Sequence, residues 1–249
     1  MTSLIYPNWP LQDKVNAFTT TRNGGVSSAP FDSFNLAMHV HDDAADVQAN
    51  RQQLQKYLSD QVQIKWLKQV HGNHVVNASA IAADEVEADA AFTTDEHIAC
   101  AVLTADCLPI LISDKNGECI AAVHAGWRGV INGVITNTIS AMSSHVKPSY
   151  AWLGPAIGPS VFEVGEDVCD AYNQTDFAFK DCFIEKNTHP KKTGKWNLNI
   201  YQAAKVVLNA ADISNVYGGE YCTFNDSDQF YSYRRNAVTG RMATIISKR

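Results

Sequence analysis

Two side chains near the middle of the chain are of types that bind metal or act as nucleophile and base. Cys107 ends Thr104-Ala105-Asp106-Cys107, and His124 sits in Val123-His124-Ala125-Gly126-Trp127-Arg128-Gly129. A thiolate and a neutral imidazole suit zinc or copper, and the same pair can also work as nucleophile and general base. The stretch between them carries a hairpin signal: apolar runs at 109–113 and 119–123 flank Asp114-Lys115-Asn116-Gly117. With residues 114–117 as the loop, Ser113 faces Glu118 and Cys107 lies opposite His124. With the tighter Asn116-Gly117 turn the two are diagonal neighbours that still share a face, because side chains alternate with period two. Only an odd-length loop separates them.

A catalytic zinc keeps three protein ligands and an open position for water or substrate. His71, His74, His39, His41 and His97 are the candidates for the third ligand, and His71 is favoured by its place at a strand end before Gly72. The competing chemistry makes Cys107 a nucleophile, His124 its base, and Asp106 or another acid the orienter. The plainest alternative leaves Cys107 as a small buried hydrophobe and His124 as a satisfied core histidine.

Arg128, at a helix start after His124, is placed to meet phosphate or carboxylate, helped by free backbone N–H groups of the first turn. Arg22 at the entrance of a Gly24-Gly25 loop, Asn35 in an irregular polar stretch, and Arg234 in a late turn are further candidates to touch substrate. Asp106 either orients a ligand or braces its loop. His145 and His189 are expected to be exposed bystanders, as are the clustered Lys186, Lys191, Lys192 and Lys195.

Strands and helices in alternation must position these groups. The patterns predict strands over 15–18, 63–70, 75–76, 98–103, 150–153, 215–217, 229–233 and 242–246. Helices are predicted from an Asp42 or Asp43 cap to Leu58, from 127 or 128 to Met142, over 165–173, and over 199–210. The expected fold is α/β of mixed α+β character, a single domain over residues 1–249 with mixed sheets flanked by helices.

A formal charge of −6 argues against a general nucleic-acid binder. Apolar residues at 45% with charged residues at 18% are ordinary globular usage, and no apolar run is long enough to span a bilayer. The start lacks a basic leader and an apolar signal core, so a cytoplasmic location is expected. The six cysteines show no CxxC spacing, and most are expected to be reduced and buried.

The segments Lys68-Gln69-Val70-His71-Gly72, Ala88-Asp89-Ala90, Thr104-Ala105-Asp106-Cys107-Leu108-Pro109, Val123-His124-Ala125-Gly126-Trp127-Arg128-Gly129 and Leu153-Gly154-Pro155-Ala156-Ile157-Gly158-Pro159 closely resemble the YfiH family, also called the laccase-domain or multicopper polyphenol oxidase family. Thr21-Arg22-Asn23-Gly24-Gly25 and Ser232-Tyr233-Arg234-Arg235 extend the likeness over nearly the whole chain. The resemblance implies a catalytic zinc held by His71, Cys107 and His124. It also implies one of several activities. Phosphorolysis of purine nucleosides (adenosine, inosine, guanosine, methylthioadenosine), with adenosine deamination beside it, is the reading preferred here. The alternatives are a peptidoglycan-precursor editing amidohydrolase, a cysteine hydrolase, a copper polyphenol oxidase and a non-catalytic metal-binding module. An oxygen-reducing copper cluster needs many paired His-x-His motifs, and the chain has eight histidines with one such pair, His39 and His41. A zinc with an open position suits deamination because it lowers the pKa of water to about 7. Phosphorolysis instead needs a positive field for phosphate.

Overall fold

Strand alternation here builds two large sheets that face one another, with a three-stranded and a two-stranded sheet beside them. The computed structural model describes residues 3–82, 86–185 and 194–249. One sheet has five strands in the order Leu4–Ile5, Val15–Thr20, Met242–Lys248, Ile98–Thr104, Gln63–Lys65. The other has six, in the order Asn215–Gly218, Pro148–Leu153, Leu108–Asp114, Ile120–Ala125, Ala90–Thr93, Val75–Asn77. Both are mixed: Gln63–Lys65 runs parallel to its neighbour, as do Val75–Asn77 and Asn215–Gly218 to theirs.

Between the sheets, Val15, Cys100, Val102 and Ile246 of the first pack on Leu111, Ile120, Ala122 and Trp152 of the second. The opposite face of the six-stranded sheet, with Ile110, Ile112, Ala121 and Val123, is covered by the helices Val134–Ser143 and Ile200–Ala210. The outer face of the five-stranded sheet is covered by Phe34, Leu36 and Leu54, the last from the helix Ala44–Gln55. The layers therefore run helix, sheet, sheet, helices. Strands buried on both faces read as continuous apolar runs, as residues 98–103 and 108–113 do.

The central hairpin adopts the tighter register, with Ser113 opposite Ile120 and Pro109 opposite His124. Its turn is closed by Asp114, whose carboxylate accepts from Cys119 N at 2.9 Å and Asn116 N at 2.8 Å. Gly117 takes φ 74°, a left-handed conformation that glycine adopts without steric cost.

Several elements differ from the sequence expectation. The helix after His124 is two helices, Trp127–Ile131 and Val134–Ser143, because Gly133 takes φ 89° and breaks the backbone between them. The strand expected over 63–70 is split into Gln63–Lys65 and Leu67–Lys68, with Trp66 between them stacked under Arg51 at 4.2 Å. The first helix, capped by Asp43 on Ala45 N at 2.8 Å, ends at Gln55, and Leu58 is buried beyond it. Residues 229–233 are irregular chain bounded by turns rather than a strand, since Arg235 takes up the Phe230 carbonyl and Tyr231 OH donates to Phe31 O. His189, Lys186, Lys191 and Lys192 lie outside the described residues, while Lys195 belongs to the strand Lys195–Leu198 and pairs with Glu163. All six cysteines are free. Among the described residues no helix is long and apolar enough to cross a membrane.

Candidate metal centre

One end of the space between the sheets collects three chain segments. Thr104 ends a strand of the five-stranded sheet, and Ala105-Asp106-Cys107 carries the chain across to Leu108, the start of a strand in the other. His124 has the same parity as Ile120 and Ala122, so its ring points between the sheets, with only 3% of the residue exposed. His71 follows the strand Leu67–Lys68 and takes φ 59°, unusual for a non-glycine residue.

What holds that strained loop is Asp89. Its fully buried carboxylate accepts from His71 N at 2.9 Å, Gly72 N at 2.7 Å and Val70 N at 3.3 Å. Gln69 pins the same loop to the neighbouring strand end, donating to Leu103 O at 2.8 Å and accepting from Leu103 N at 2.7 Å. The Asp89 carboxylate also lies 2.7 Å from His124 Nδ1, and Asp89 O accepts from His124 N at 2.7 Å. This leaves His124 Nε2 for the side where Cys107 lies. One carboxylate thus sets the tautomer of one imidazole and the backbone of the other.

The Cys107 sulfur and the ring nitrogens of His71 and His124 all lie within 4.8 Å of one another, and the two rings meet edge to face at 78°. A tetrahedral zinc with bonds of about 2.0 to 2.3 Å sets its ligands about 3.5 Å apart, so this donor set fits with small side-chain adjustments. The site is also cramped in a way that glycine solves. A Cβ on Gly126 would stand 3.1 Å from the Cys107 sulfur and 3.3 Å from His71 Cδ2.

Electrostatics prepare the thiol for this role. Burial alone would push the Cys107 thiol up, but His124 and then His71 outweigh it and pull it down to about 6. Burial would likewise lower His124, yet the Cys107 thiolate and the Asp89 carboxylate raise it to about 9. For Asp89, burial acts upward, but its hydrogen bonds from His124 and from the Gly72 and Val70 N–H groups hold it below the usual range.

The three donors form the floor of a cleft of about 510 Å³. Its walls carry the cations Arg128, Arg234 and Arg241 and the rings of Trp127, Phe162 and Tyr233. Each arginine lies over one of these rings: Arg128 over Trp127 at 4.2 Å, Arg234 over Phe162 at 5.5 Å, and Arg241 over Tyr233 at 5.9 Å.

The remaining candidates fall on both sides of this boundary. Asp106 lines the cleft but also braces it, since its oxygens accept from Thr223 Oγ1 at 2.7 Å and Arg234 N at 2.8 Å. The acid that orients His124 is Asp89, not Asp106. Arg22 is not part of the lining. Its guanidinium is taken up by Asp32, by Asp32 O and by Ser227 O. Asn35 is also away from the lining and fully buried. Its oxygen accepts from Ala37 N at 3.1 Å and Arg241 N at 3.0 Å, while its nitrogen donates to Ala37 O and Asp42. It is a brace whose amide is saturated by protein. The helix behind Arg128 spans only Trp127–Ile131, so little dipole accumulates behind it. Among the other histidines, His39 lines the cleft, His74 Nδ1 lies 2.8 Å from Glu87 O, His97 sits by Glu96, and His145 is exposed against Phe92.

Sequence reasoning assigned no role to Asp89 or Arg241. A lone carboxylate inside the apolar Ala88-Asp89-Ala90-Ala91-Phe92 run is a signal for Asp89, because an acid is buried there only with partners. For Arg241 the signal is an arginine immediately before the apolar strand Met242–Lys248.

Fold and site together define an α/β protein with a cluster of two histidines and a cysteine, of a kind that could hold a metal ion, at the floor of a cleft walled by arginines. The chain belongs to the YfiH laccase-domain family: the family model for the multi-copper polyphenol oxidoreductase laccase matches residues 16–249. A purine nucleoside phosphorylase of Pseudomonas aeruginosa is 42% identical over 246 residues, 99% of this chain and 98% of that protein. Purine nucleoside phosphorylase YfiH of Escherichia coli is 40% identical over 248 residues, 99% of each chain. Among solved structures, Neisseria meningitidis protein NMB0706 superposes with a TM-score of 0.90 at 40% identity, covering 98% of both chains. YlmD of Geobacillus stearothermophilus does so with a TM-score of 0.83 at 30% identity, over 97% of this chain and 94% of that one.

Proposed function

We propose that the protein is a zinc-dependent purine nucleoside phosphorylase of the cytoplasm, acting as one catalytic domain over residues 1–249. Its substrates in this reading are adenosine, inosine, guanosine and methylthioadenosine, with adenosine deamination as a side activity. The observation that carries this is the convergence of His71, Cys107 and His124 on the floor of a cleft whose walls bear arginines. The names of the Pseudomonas aeruginosa and Escherichia coli relatives point the same way.

His71, Cys107 and His124 would hold the zinc, which supplies a Lewis acid with a coordination position left to water or substrate. Asp89 keeps the His124 proton on Nδ1, so that Nε2 is the ligand atom, and it fixes the His71 loop. The cleft's cations, Arg128 and Arg234 among them, offer the positive field that phosphate needs as it meets the anomeric carbon and the bond to the purine opens. Trp127, Phe162 and Tyr233 offer flat apolar surface to a purine ring.

The test is release of free base from adenosine and inosine with and without inorganic phosphate. The proposal expects release that requires phosphate and that disappears when the metal is chelated. Base release without phosphate dependence would contradict phosphorolysis. A second reading, a cysteine hydrolase of cell-wall precursor amides, is favoured by the Cys107, His124 and Asp89 series, whose thiol is already pulled down to about 6. It expects activity on an aminoacyl-muramyl substrate that survives metal removal.

A further inference from the structure

The arginines around the cleft differ in what their guanidinium groups already do. Arg22 is neutralised by Asp32 at 3.0 Å. Arg235 donates to the carbonyls of Thr223, Phe224 and Phe230 and serves the loop it crosses. Arg128 and Arg234 are exposed, and charges in water are screened. Arg241 is of another kind: half-buried, lining the cleft, and without a carboxylate partner among the described residues.

Its position is also fixed on every side. Asn35 accepts from its backbone N at 3.0 Å, and Leu36 N donates to its carbonyl. The next residue, Met242, pairs with Thr104, so Arg241 leaves its strand beside the Ala105-Asp106-Cys107 crossing. Gly240 before it lies so close to the Tyr231 ring that a Cβ would stand 2.7 Å away. Nη1 donates to Thr239 O at 2.8 Å and Gly240 O at 2.9 Å, which sets the plane of the guanidinium. The edge formed by Nε and Nη2 has no protein acceptor among the described residues. Asp106 and Cys107 act on this guanidinium electrostatically without forming an ion pair to it, and a planar fork held rigid in a half-buried wall matches two oxygens of an oxyanion.

We propose that Arg241 is the anchor for the phosphate co-substrate, gripping two of its oxygens through the Nε and Nη2 edge, with Asn35 holding the backbone that aims it. This rests on the phosphorolysis reading and names the residue that serves it. Arg128 and Arg234, exposed on the cleft wall, with Arg234 Nη1 already given to Glu163 O at 3.1 Å, then contribute less to phosphate affinity than Arg241 does.

Calorimetric titration of the zinc-loaded protein with inorganic phosphate tests it, on wild type, Arg241→Gln, Arg241→Lys and Arg128→Gln, with metal content and melting temperature recorded for each. Arg241→Gln is expected to weaken phosphate at least about tenfold. Arg241→Lys should fall between Gln and wild type, because an ammonium keeps the charge and loses the fork. Arg128→Gln should change it less. In steady-state assays the Arg241 variants should raise KM for phosphate and leave KM for inosine close to wild type. Unchanged phosphate affinity in Arg241→Gln, with phosphate-dependent base release intact in wild type, overturns this assignment and leaves phosphorolysis standing. Loss of metal or a collapsed melting temperature in both Arg241 variants would make the residue structural and overturns it too. Absence of phosphate binding in wild type would remove the phosphorolysis reading, and this inference with it.

Discussion

At the closed end of the central hairpin, Cys119 stands behind the buried carboxylate of Asp114. At the open end, Cys107 stands before His124 and the buried carboxylate of Asp89. Both ends thus pair a cysteine with a buried aspartate, but their electrostatics are opposite. Burial, with Asp114 adding to it, pushes the Cys119 thiol up to about 11. Cys107 is drawn down to about 6 because imidazoles stand between it and the acid. Asp114 gives its oxygens to the N–H groups of Asn116 and Cys119 and closes a turn. Asp89 does the same for the His71 loop and also holds a titratable ring. A buried carboxylate alone stabilises a turn, and an interposed imidazole converts it into support for a reactive thiol.

The sharpest test of this contrast removes each of the two sulfurs in turn. Cys107→Ala should empty the site and lower phosphorolysis by more than about 100-fold, since even loss of a supporting partner costs 10 to 100-fold. Cys119→Ala should leave metal and turnover unchanged and cost about 1 kcal/mol in denaturant unfolding.

The two acids separate next. In Asp89→Asn an amide nitrogen replaces one oxygen and opposes N–H groups that both oxygens now accept, so metal affinity should fall by about 10 to 100-fold in chelator competition. Asp114→Asn should cost about 1 kcal/mol of stability with metal affinity intact.

Glycines at the two ends give a third, smaller contrast. Gly126→Ala crowds the Cys107 sulfur and His71 and should weaken metal by about tenfold, because donors are displaced by a few tenths of an ångström. Gly117→Ala places a side chain at φ 74° and should lower stability by about 1 kcal/mol, leaving metal affinity unchanged.

The pH response is the smallest effect. A cysteine whose folded pKa is lowered is a thiolate above that value and loses the charge as pH falls through it. A histidine whose pKa is raised keeps its proton until pH rises through the raised value. In metal-free protein the Cys107 and His124 ion pair is therefore populated between about 6 and about 9. Alkylation of Cys107 should rise through pH about 6, while Cys119 stays inert until near 11. A Cys107 that alkylates only above pH 8 would contradict the contrast.

The hairpin was legible because parity alone puts Cys107 and His124 on one face, and the Asn116-Gly117 turn is written locally. The mixed α/β sheets followed from apolar periodicity. Asp89 was not legible in role, since its importance depends on Ala90–Thr93 pairing with Ile120–Val123, a contact between segments far apart in sequence. Asn35 misled because a polar residue in an irregular stretch reads as site-facing, whereas its partners include Arg241, distant along the chain. The break at Gly133 was present in the sequence as Asn132-Gly133, but the apolar spacing ran through it and masked it.

The most direct measurement is metal analysis together with phosphate-dependent release of hypoxanthine from inosine, on wild type and Cys107→Ala purified identically. The account predicts about one zinc per wild-type chain with phosphate-dependent release, and neither in the variant. Zinc retained by Cys107→Ala, or phosphorolysis persisting without it, would contradict the claim that His71, Cys107 and His124 form the catalytic centre.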